Sequence, residues 1–173
     1  MQFDKSIVQT RVESPLGTIT IAASAHGLAG LWFENQRHLP PELIEKQAWP
    51  IASYHPVLTQ VSRQLAAYFS GESTTFSVPL DLACGTPFQQ SVWLALQAIP
   101  SGCTISYSDV SARIGKPTAV RAVGAAIGRN PISIIVPCHR VVGANGSLTG
   151  YAGGLDRKTA LLKLEGALQE SLL

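Results

Sequence analysis

Residues 108–128 read SDVSARIGKPTAVRAVGAAIG, and this stretch decides how the second half of the chain folds. Two short helical patterns, Ser108–Ile114 and Thr118–Gly128, stand on either side of Gly115-Lys116-Pro117. Glycine and proline interrupt a helix, and about three residues is a common length for the turn between two crossing helices. The stretch therefore predicts a helix-turn-helix.

The second helix of this motif has two different faces. Val120, Val123 and Ile127 recur at helical spacing and predict a buried face. The opposite face is small and basic and consists of Thr118, Arg121, Ala122, Ala125 and Arg129. Small side chains let a helix approach nucleic acid closely, and arginine attracts phosphate. This face predicts a DNA-binding surface, and an alanine-rich packing helix is the alternative.

Length and composition limit the class of protein. The chain has 173 residues, of which 46% are hydrophobic and 14% are charged, and this fits one ordinary globular domain or two small ones. No apolar run is long enough to span a bilayer, and residues 1–10 lack the apolar core of a signal peptide. We therefore expect a cytoplasmic protein without a membrane segment.

Charge is divided unevenly along the chain. The 13 basic and 11 acidic residues give too small a net charge to argue for nucleic acid by itself. Residues 1–84 contain five basic and seven acidic residues, a net charge of −2, whereas residues 85–173 contain eight and four, a net charge of +4. A polyanionic partner is therefore expected on the second half.

The first half has the pattern of a small sheet with one helix. Alternation in Thr18–Ile21 and the apolar run Leu28–Phe33 predict a β-hairpin. The spacing within Pro56–Phe69 predicts a helix, and Pro40-Pro41 predicts a loop. Thr75–Leu80 alternates again and predicts a further strand. None of these elements brings reactive side chains together.

A domain boundary is expected where the composition changes, at Ala83-Cys84-Gly85. We expect an N-terminal structural domain over residues 1–84 and a C-terminal domain over residues 85–173. The predicted fold class is α/β of the α+β kind. A small N-terminal lobe of sheet plus helix would precede a mostly helical C-terminal lobe that contains the helix-turn-helix.

Four further signals predict elements in the second half. Thr86-Pro87-Phe88-Gln89 has the residues of a capping box with proline at the first helical position, which predicts a helix start. Ser133–Val136 predicts a buried strand, and Asn145-Gly146 predicts the turn of a hairpin. Asp156 predicts the cap of a last helix that runs to Glu165.

The reactive residues are concentrated in residues 130–141, NPISIIVPCHRV. Cys138 and His139 lie side by side at the end of an apolar stretch. A free thiol is mostly protonated at neutral pH and needs a base or a positive field to become a good nucleophile. His139 and Arg140 can provide both. For an isolated Cys-His pair, a core cysteine and a satisfied buried histidine would be the better interpretation, and the neighbouring pattern shifts the balance here.

Five motifs in order resemble the O6-alkylguanine-DNA alkyltransferases, the methylated-DNA–protein-cysteine methyltransferase family. Pro-Cys-His-Arg alone would be only indicative, whereas the five together are highly specific. The N-terminal half resembles the family less specifically, by size and strand order, and the resemblance implies a ribonuclease H-like lobe there. The motifs are Gly85–Gln89, the helix-turn-helix, Pro137–Val141, Gly150–Gly154 and Leu162–Gly166.

The resemblance implies direct-reversal DNA repair without a cofactor. The alkyl group on guanine O6 would pass to the thiolate of Cys138 by direct displacement, and since a thioether is a poor leaving group, the protein would act once. His139 would accept the thiol proton through a water, and Glu165 would orient His139. Asn130 would brace the turn around the cysteine. Residues 85–173 would thus be the DNA-binding and alkyl-acceptor domain.

The partner that the resemblance implies is double-stranded DNA containing O6-alkylguanine, with O4-alkylthymine as a further candidate. The base would be flipped out while the second helix of the motif lies in the minor groove, and the protein would be a monomer. Arg121 would fill the gap left by the base, with an ordinary phosphate contact as its alternative. Substrate or DNA would also contact Tyr107, Ala122, Ala125, Arg129, Val141, Tyr151, Ala152 and Gly153.

Two residues depart from the pattern of some members of the family. Ala152 stands where they have serine, so the backbone N–H groups of the loop would have to serve guanine O6. Ser133 stands where some have proline, which bears on how bulky adducts fit. We therefore expect the alkyl preference to differ from those members.

No metal site is expected. Cys84, Cys103 and Cys138 are widely spaced, without a Cys-x-x-Cys pair, so neither a disulfide framework nor a cysteine-rich zinc site is indicated. His26, His38 and His55 have no spacing typical of metal ligands.

Two other classes of function stay open on the sequence alone. A helix-turn-helix regulator would use Cys138 as an inert or alkylation-sensing residue, but the chain has no obvious effector domain or dimerisation heptad. A cysteine hydrolase would use Cys138 with a histidine, and it would have to turn over.

Overall fold

A computed structural model describes residues 1–45 and 48–168. The chain forms two compact units, Met1–Thr86 and Pro87–Leu173. The first unit contains a sheet and helices, and the second is mostly helical, so the α+β fold class is confirmed. The division into domains after Cys84 stays a prediction.

The first unit is a three-stranded antiparallel sheet covered by a helix. The strands lie in the order β1-β2-β3, and α2 contacts all three. The predicted hairpin and the predicted helix are both confirmed. A one-turn helix replaces the loop expected at Pro40-Pro41. The elements are β1 (Val8–Ser14), β2 (Gly17–Ser24), β3 (Gly27–Phe33), α1 (Pro41–Ile44) and α2 (Pro56–Phe69).

Both faces of this sheet are buried. Side chains alternate along a strand, so Ile21 and Leu31, which are paired across β2 and β3, share one face. Trp32 lies on the other face in a cluster with Ile7, Ala22 and Ala29, and Phe3 and Trp49 pack against it. This second layer explains why every residue of β3 is buried.

The strand predicted over Thr75–Leu80 is wrong. Only Leu80 forms a bridge, to Leu28. The side chains of two glutamines from α2 instead bind the backbone of Ser77: Gln60 donates to its carbonyl, and Gln64 accepts from its N–H. Side chains thus satisfy the backbone of Ser77, and only the end of the segment pairs with β3, where the Pro79 carbonyl accepts from the Leu28 N–H at 2.8 Å.

The second unit contains the helix-turn-helix as predicted. Helix α3 begins at Pro87, as the Thr86–Gln89 signal requires. Ser106 caps α4 by accepting from the Asp109 N–H at 3.0 Å, and the Asp109 carboxylate accepts from the Ser106 N–H at 2.9 Å. The elements are α3 (Pro87–Gln97), β4 (Ile105–Ser106), α4 (Tyr107–Arg113), α5 (Val120–Gly128), β5 (Val141–Val142) and α6 (Leu155–Leu164).

Helix α5 is fixed from behind by α3. The indole Nε1–H of Trp93 donates to the Ala126 carbonyl at 2.8 Å, and Val123 and Ile127 are buried. The predicted inner face is confirmed at Val123 and Ile127, whereas Val120 is only half-buried, and the predicted outer face is exposed.

Three local predictions in the second unit are wrong. Ser133–Val136 is a succession of turns. Asn145-Gly146 does form a turn, closed by the Gly143 N–H donating to Ser147 O at 2.9 Å, but β5 pairs in parallel with β4 instead of forming a hairpin. Asp156 lies in the first turn of α6, whose N-cap is Gly154 at φ +93°. Glycine takes that conformation without the steric penalty of a side chain.

None of the helices in the described part of the chain combines the length and the apolar character needed to cross a bilayer.

Candidate active site

The turns that precede Cys138 are organised by one buried amide, Asn130. Its Oδ1 accepts from the Ile132 N–H at 2.9 Å, and its Nδ2 donates to the Val136 carbonyl at 2.8 Å. These are the hydrogen bonds that a neighbouring strand would otherwise supply. They explain why an apolar run that reads as a strand is folded into turns.

Ile134, in the middle of these turns, has φ +71°. A β-branched side chain is disfavoured there, at a free-energy cost of about 1–3 kcal/mol. The side chain is nevertheless buried, with 1% of its surface exposed. Such strain persists only where surrounding contacts hold it, which makes the segment before Cys138 a candidate functional site on backbone grounds alone.

Replacing Asn130 with alanine is expected to lower the free energy of unfolding by about 2–4 kcal/mol. The Ile132 N–H and the Val136 carbonyl would be left buried without partners, and each such group costs about 1–3 kcal/mol. Urea unfolding measures the change, with Asn145→Ala as the control because Asn145 is exposed. A loss equal to that of the control would contradict the role given to Asn130.

Cys138, His139 and Arg140 form a single 3-10 turn, and all three are buried. His139 Nε2 lies 2.8 Å from Glu165 Oε1, and neither side chain has any exposed surface. Burial opposes ionisation of Glu165, but hydrogen bonds from His139 and Arg140 lower its pKa from 4.5 to about 2. The carboxylate is therefore ionised and can only accept, so Nε2 carries the hydrogen.

The second ring nitrogen of His139, Nδ1, is not engaged by Glu165. Burial lowers the pKa of His139 below 6.5, although the hydrogen bond with Glu165 opposes this shift. The ring is therefore neutral at pH 7, with Nδ1 unprotonated. Nδ1 is buried, and no group of the described residues hydrogen-bonds it. It is a base held in one tautomer by the carboxylate on its other side.

Arg140 holds the same carboxylate from a second direction. Its Nε donates to Glu165 Oε2 at 2.9 Å, and its Nη2 donates to Oε1 at 2.8 Å. Its Nη1 donates to the Ile99 carbonyl at 2.6 Å, just after α3. This two-pronged contact fixes the plane of the carboxylate and so the direction in which it can accept from His139.

Stability is expected to fall in acid because of these two groups. Between about pH 6.5 and the lowered pKa of His139, the unfolded chain binds a proton that the native protein does not. Between pH 4.5 and about 2, the same holds for Glu165. More protons bound in the unfolded state means that the free energy of unfolding decreases as the pH falls. Urea unfolding at pH 7, 5.5 and 4 tests this, and a flat profile would contradict it.

The Cys138 thiol is protonated in the resting protein. Burial raises its pKa, and only in part do the hydrogen bond from Asn130 and the charge of Lys158 lower it. The side chain has 5% of its surface exposed. A buried neutral thiol is protected from adventitious electrophiles, but it is a weak nucleophile. A base must therefore remove its proton at the moment of reaction.

The outer face of α5 lies open to solvent. Tyr107, the first residue of α4, is half-buried, and its ring lies 3.9 Å from where a Cβ of Gly124 would stand. The ring thus lies within van der Waals distance of that position on α5. The residues of the predicted DNA surface, all exposed, are Thr118, Arg121, Ala122, Ala125 and Arg129.

The glycine loop 150–154 is tied to α6 and β5 by a buried lysine that sequence reasoning missed. Lys158 Nζ donates to Val141 O at 2.6 Å and to Thr149 O at 2.8 Å. The available signal was its position, because Lys158 lies on the same helical face as Leu161, Leu162 and Glu165. A lysine in line with apolar residues predicts a buried cation. In the loop, Tyr151 and Ala152 are half-buried and Gly153 is buried.

Across the described ranges, no group of three His, Cys, Asp or Glu side chains could hold a metal ion. All three cysteines are free: Cys84 is half-buried, Cys103 is exposed and Cys138 is buried.

Fold and site together define a class. A buried thiol adjoins a neutral histidine held by an ionised carboxylate, and the same unit carries a helix-turn-helix with an exposed basic face. This is a DNA-binding protein whose chemistry depends on a cysteine nucleophile.

Comparison with known proteins agrees with this class. The sequence model of the 6-O-methylguanine DNA methyltransferase DNA binding domain matches residues 87–167, and that of its ribonuclease-like domain matches residues 7–82. A methylated-DNA–protein-cysteine methyltransferase of Methanosarcina acetivorans is 49% identical over 158 residues, 90% of this chain and 96% of that protein. One from Mycobacterium tuberculosis is 49% identical over 154 residues, 89% of each chain.

A solved structure has the same fold. The crystal structure of Mycobacterium tuberculosis OGT in complex with DNA is similar with a TM-score of 0.80 and 47% identity, covering 91% of each chain. The chain belongs to the 6-O-methylguanine DNA methyltransferase family, and the resemblance drawn from its five motifs is confirmed.

Proposed function

We propose that this DNA-repair methyltransferase takes the alkyl group of an O6-alkylguanine onto its own Cys138 in one irreversible event. The contact that carries the proposal is the 2.8 Å hydrogen bond between His139 Nε2 and Glu165 Oε1. It presents an unprotonated Nδ1 on the residue next to the buried thiol.

The proton leaves Cys138 before or as the sulfur attacks. It passes through a water to His139 Nδ1, and the imidazolium that forms is stabilised by the ionised Glu165. Because both residues of the pair are buried, the charge is created where water does not screen it. The base therefore acts without a resting thiolate.

The displacement balances with the protein, the DNA and water. The Cys138 Sγ–C bond forms as the C–O6 bond of the adduct breaks, and the electron pair of that bond remains on guanine. The N–H groups of the loop Tyr151–Gly153 donate hydrogen bonds to the departing O6; guanine then takes up one proton from water, and the imidazolium of His139 returns its proton to water. No cofactor is required. The thioether product does not release the alkyl group, so each protein acts once.

The DNA surface of the proposal is the outer face of α5. A guanine adduct inside a duplex is out of reach, so the base must be flipped out at a cost of a few kcal/mol. The small side chains Ala122 and Ala125 allow close approach to the minor groove, while Arg121 and Arg129 supply positive charge. Arg121 fills the gap left by the base, and Tyr107 and Val141 line the pocket that receives it.

Replacing Arg121 with alanine is expected to slow methyl transfer from duplex DNA by at least about tenfold, while transfer from the free base O6-methylguanine is unchanged. Only the duplex reaction requires the gap in the stack to be filled. Arg129→Ala serves as the matched control, since losing one phosphate contact weakens binding and reduces the salt dependence without affecting flipping. If the two variants slow methyl transfer equally at saturating DNA, Arg121 is only a phosphate contact and does not fill the gap left by the base.

The proposal includes an oligomeric state and a cell compartment for the protein. The protein acts as a monomer, because a single chain carries the nucleophile, its base and the DNA face. It works in the cytoplasm, where three free thiols, one of them the reactive group, stay reduced.

The direct test mixes the protein with a short duplex containing one O6-methylguanine and records the intact mass with time. The expected result is one methyl group in place of one hydrogen, located on Cys138 by peptide mapping and saturating at one per protein. Continued demethylation beyond one equivalent would overturn the single-event proposal in favour of turnover. Tight binding with no mass change would favour a sensing or regulatory role.

A further inference from the structure

Lys158 is a buried cation that the proposed reaction does not use. None of its surface is exposed, although lysine is rarely fully buried unless it is paired. Across residues 1–45 and 48–168, none of the ion pairs involves it. Its position on α6 therefore requires another explanation than a salt bridge.

The partners of Lys158 are backbone carbonyls from two different segments. Val141 O, at 2.6 Å, belongs to β5, directly after the turn that carries Cys138. Thr149 O, at 2.8 Å, and Gly150 O, at 3.4 Å, belong to the start of the glycine loop. One ammonium group thus ties the loop to the segment that bears the nucleophile.

The other end of the loop is held from the same helix. Arg157 Nη1 donates to the Gly153 carbonyl at 3.2 Å, and the Gly154 N–H donates to Tyr151 O at 2.9 Å. Because a trans peptide points its N–H away from its C=O, a carbonyl turned toward α6 sends the following N–H to the opposite side. The hydrogen bonds from Lys158 and Arg157 therefore hold the loop in one orientation relative to α6.

Lys158 also acts on the thiol through charge. Its positive charge lowers the pKa of Cys138 against the effect of burial, and an ionised Cys138 raises the pKa of Lys158, which burial lowers from 10.5 to about 8. The other charged or titratable groups of the site are His139 and Arg140, on the turn that carries Cys138, and Glu165, which ends α6 and contacts both. Of these, Arg140 is already bound to Glu165. Among these groups and within the described residues, Lys158 is the cation without a carboxylate partner.

We infer that Lys158 is a positioning residue for alkyl transfer: it locks the loop 149–154 to the segment after Cys138 and stabilises the developing thiolate. The inference deepens the proposed function, on which it rests. Position and charge are separable, because an amide can donate hydrogen bonds without carrying charge.

Two substitutions separate these effects. Lys158→Gln keeps hydrogen-bond donors and removes the charge, and Lys158→Met removes both while keeping the length of the chain. The first measurement is the pH dependence of Cys138 alkylation by iodoacetamide without DNA, followed by peptide mapping. The exposed Cys103 in the same molecule is the internal control. The second measurement is methyl transfer from the duplex, and the third is thermal unfolding.

Both variants are expected to shift the pH profile of Cys138 upward by about one unit, which is about tenfold slower alkylation at neutral pH. Lys158→Met is expected to slow methyl transfer further than Lys158→Gln, because it also releases the loop. Wild-type profiles for Cys138 in both folded variants would overturn the inference. If Lys158→Gln keeps the wild-type pH profile of Cys138 and Lys158→Met does not, Lys158 has a structural role only, and the electrostatic part of the inference is overturned.

A measurement on the intact lysine covers the case in which neither variant folds. In the wild-type protein, the NMR signals of residues 149–154 are expected to change with pH in parallel with the titration of Lys158, whose pKa burial lowers to about 8, because loss of the ammonium proton weakens its hydrogen bonds to the loop. Loop signals that do not follow this titration would overturn the lock on the loop. Neither this titration nor iodoacetamide requires DNA repair. Failure of the wild-type protein to accept a methyl group from the duplex would therefore refute the proposed function without touching these results.

Discussion

Replacing Cys138 with serine is expected to abolish methyl transfer, with a loss of more than about 10⁴-fold, while the fold is retained. Removing the nucleophile of a catalytic group that acts as a unit has effects of this size. A hydroxyl has nearly the same shape as a thiol, so serine fits the buried site of Cys138. The pKa of a serine hydroxyl is far too high for His139 to generate a useful alkoxide for attack on a methyl carbon.

The control for this substitution is Cys103→Ser. Cys103 lies in the same unit and is exposed, so the variant is expected to gain one methyl group at the wild-type rate. Intact mass after incubation with the O6-methylguanine duplex distinguishes the two variants in one measurement. Methylation of Cys138→Ser at the wild-type rate would mean that another side chain is the acceptor.

Replacing Glu165 with alanine is expected to destabilise the protein by about 3–5 kcal/mol and to slow transfer by about 10²–10⁴-fold. The loss of stability arises because Arg140 and the His139 Nε2–H would both remain buried without their partner. The loss of rate arises because the tautomer of His139 would no longer be held and its imidazolium would no longer be stabilised.

Two companion variants separate these effects. Glu165→Gln keeps an acceptor oxygen and is expected to retain more stability than alanine while losing the charge that stabilises the imidazolium. Glu72→Ala, at an exposed site, is expected to change neither property. Urea unfolding and the single-turnover rate are the measurements. An alanine variant within about 1 kcal/mol of the wild-type stability would show that Arg140 and His139 find other partners.

The site was predictable wherever a residue type and its neighbours carry the chemistry. Cys138 and His139 are adjacent in the sequence, and thiol and imidazole chemistry made them candidates for nucleophile and base, but only the neighbouring family motifs favoured these roles over a buried core pair. Glu165 was reached only through the family pattern, because a lone carboxylate near a helix end is normally solvated. Its burial against His139 and Arg140, 26 and 25 residues away, is a property of the folded chain.

The sequence by itself determined the helix-turn-helix, the two faces of α5, the β-hairpin and α2, since periodicity and the positions of glycine and proline act locally. Tertiary structure decided the rest. Ser133–Val136 has the apolar content of a strand, but the Asn130 side chain satisfies its backbone and folds it into turns. The same reason applies to Thr75–Leu80 and the glutamines of α2, and to Lys158, whose carbonyl partners come from separate segments. Hydrogen bonds to buried backbone groups must be made, but which side chain makes them depends on residues far apart in the chain.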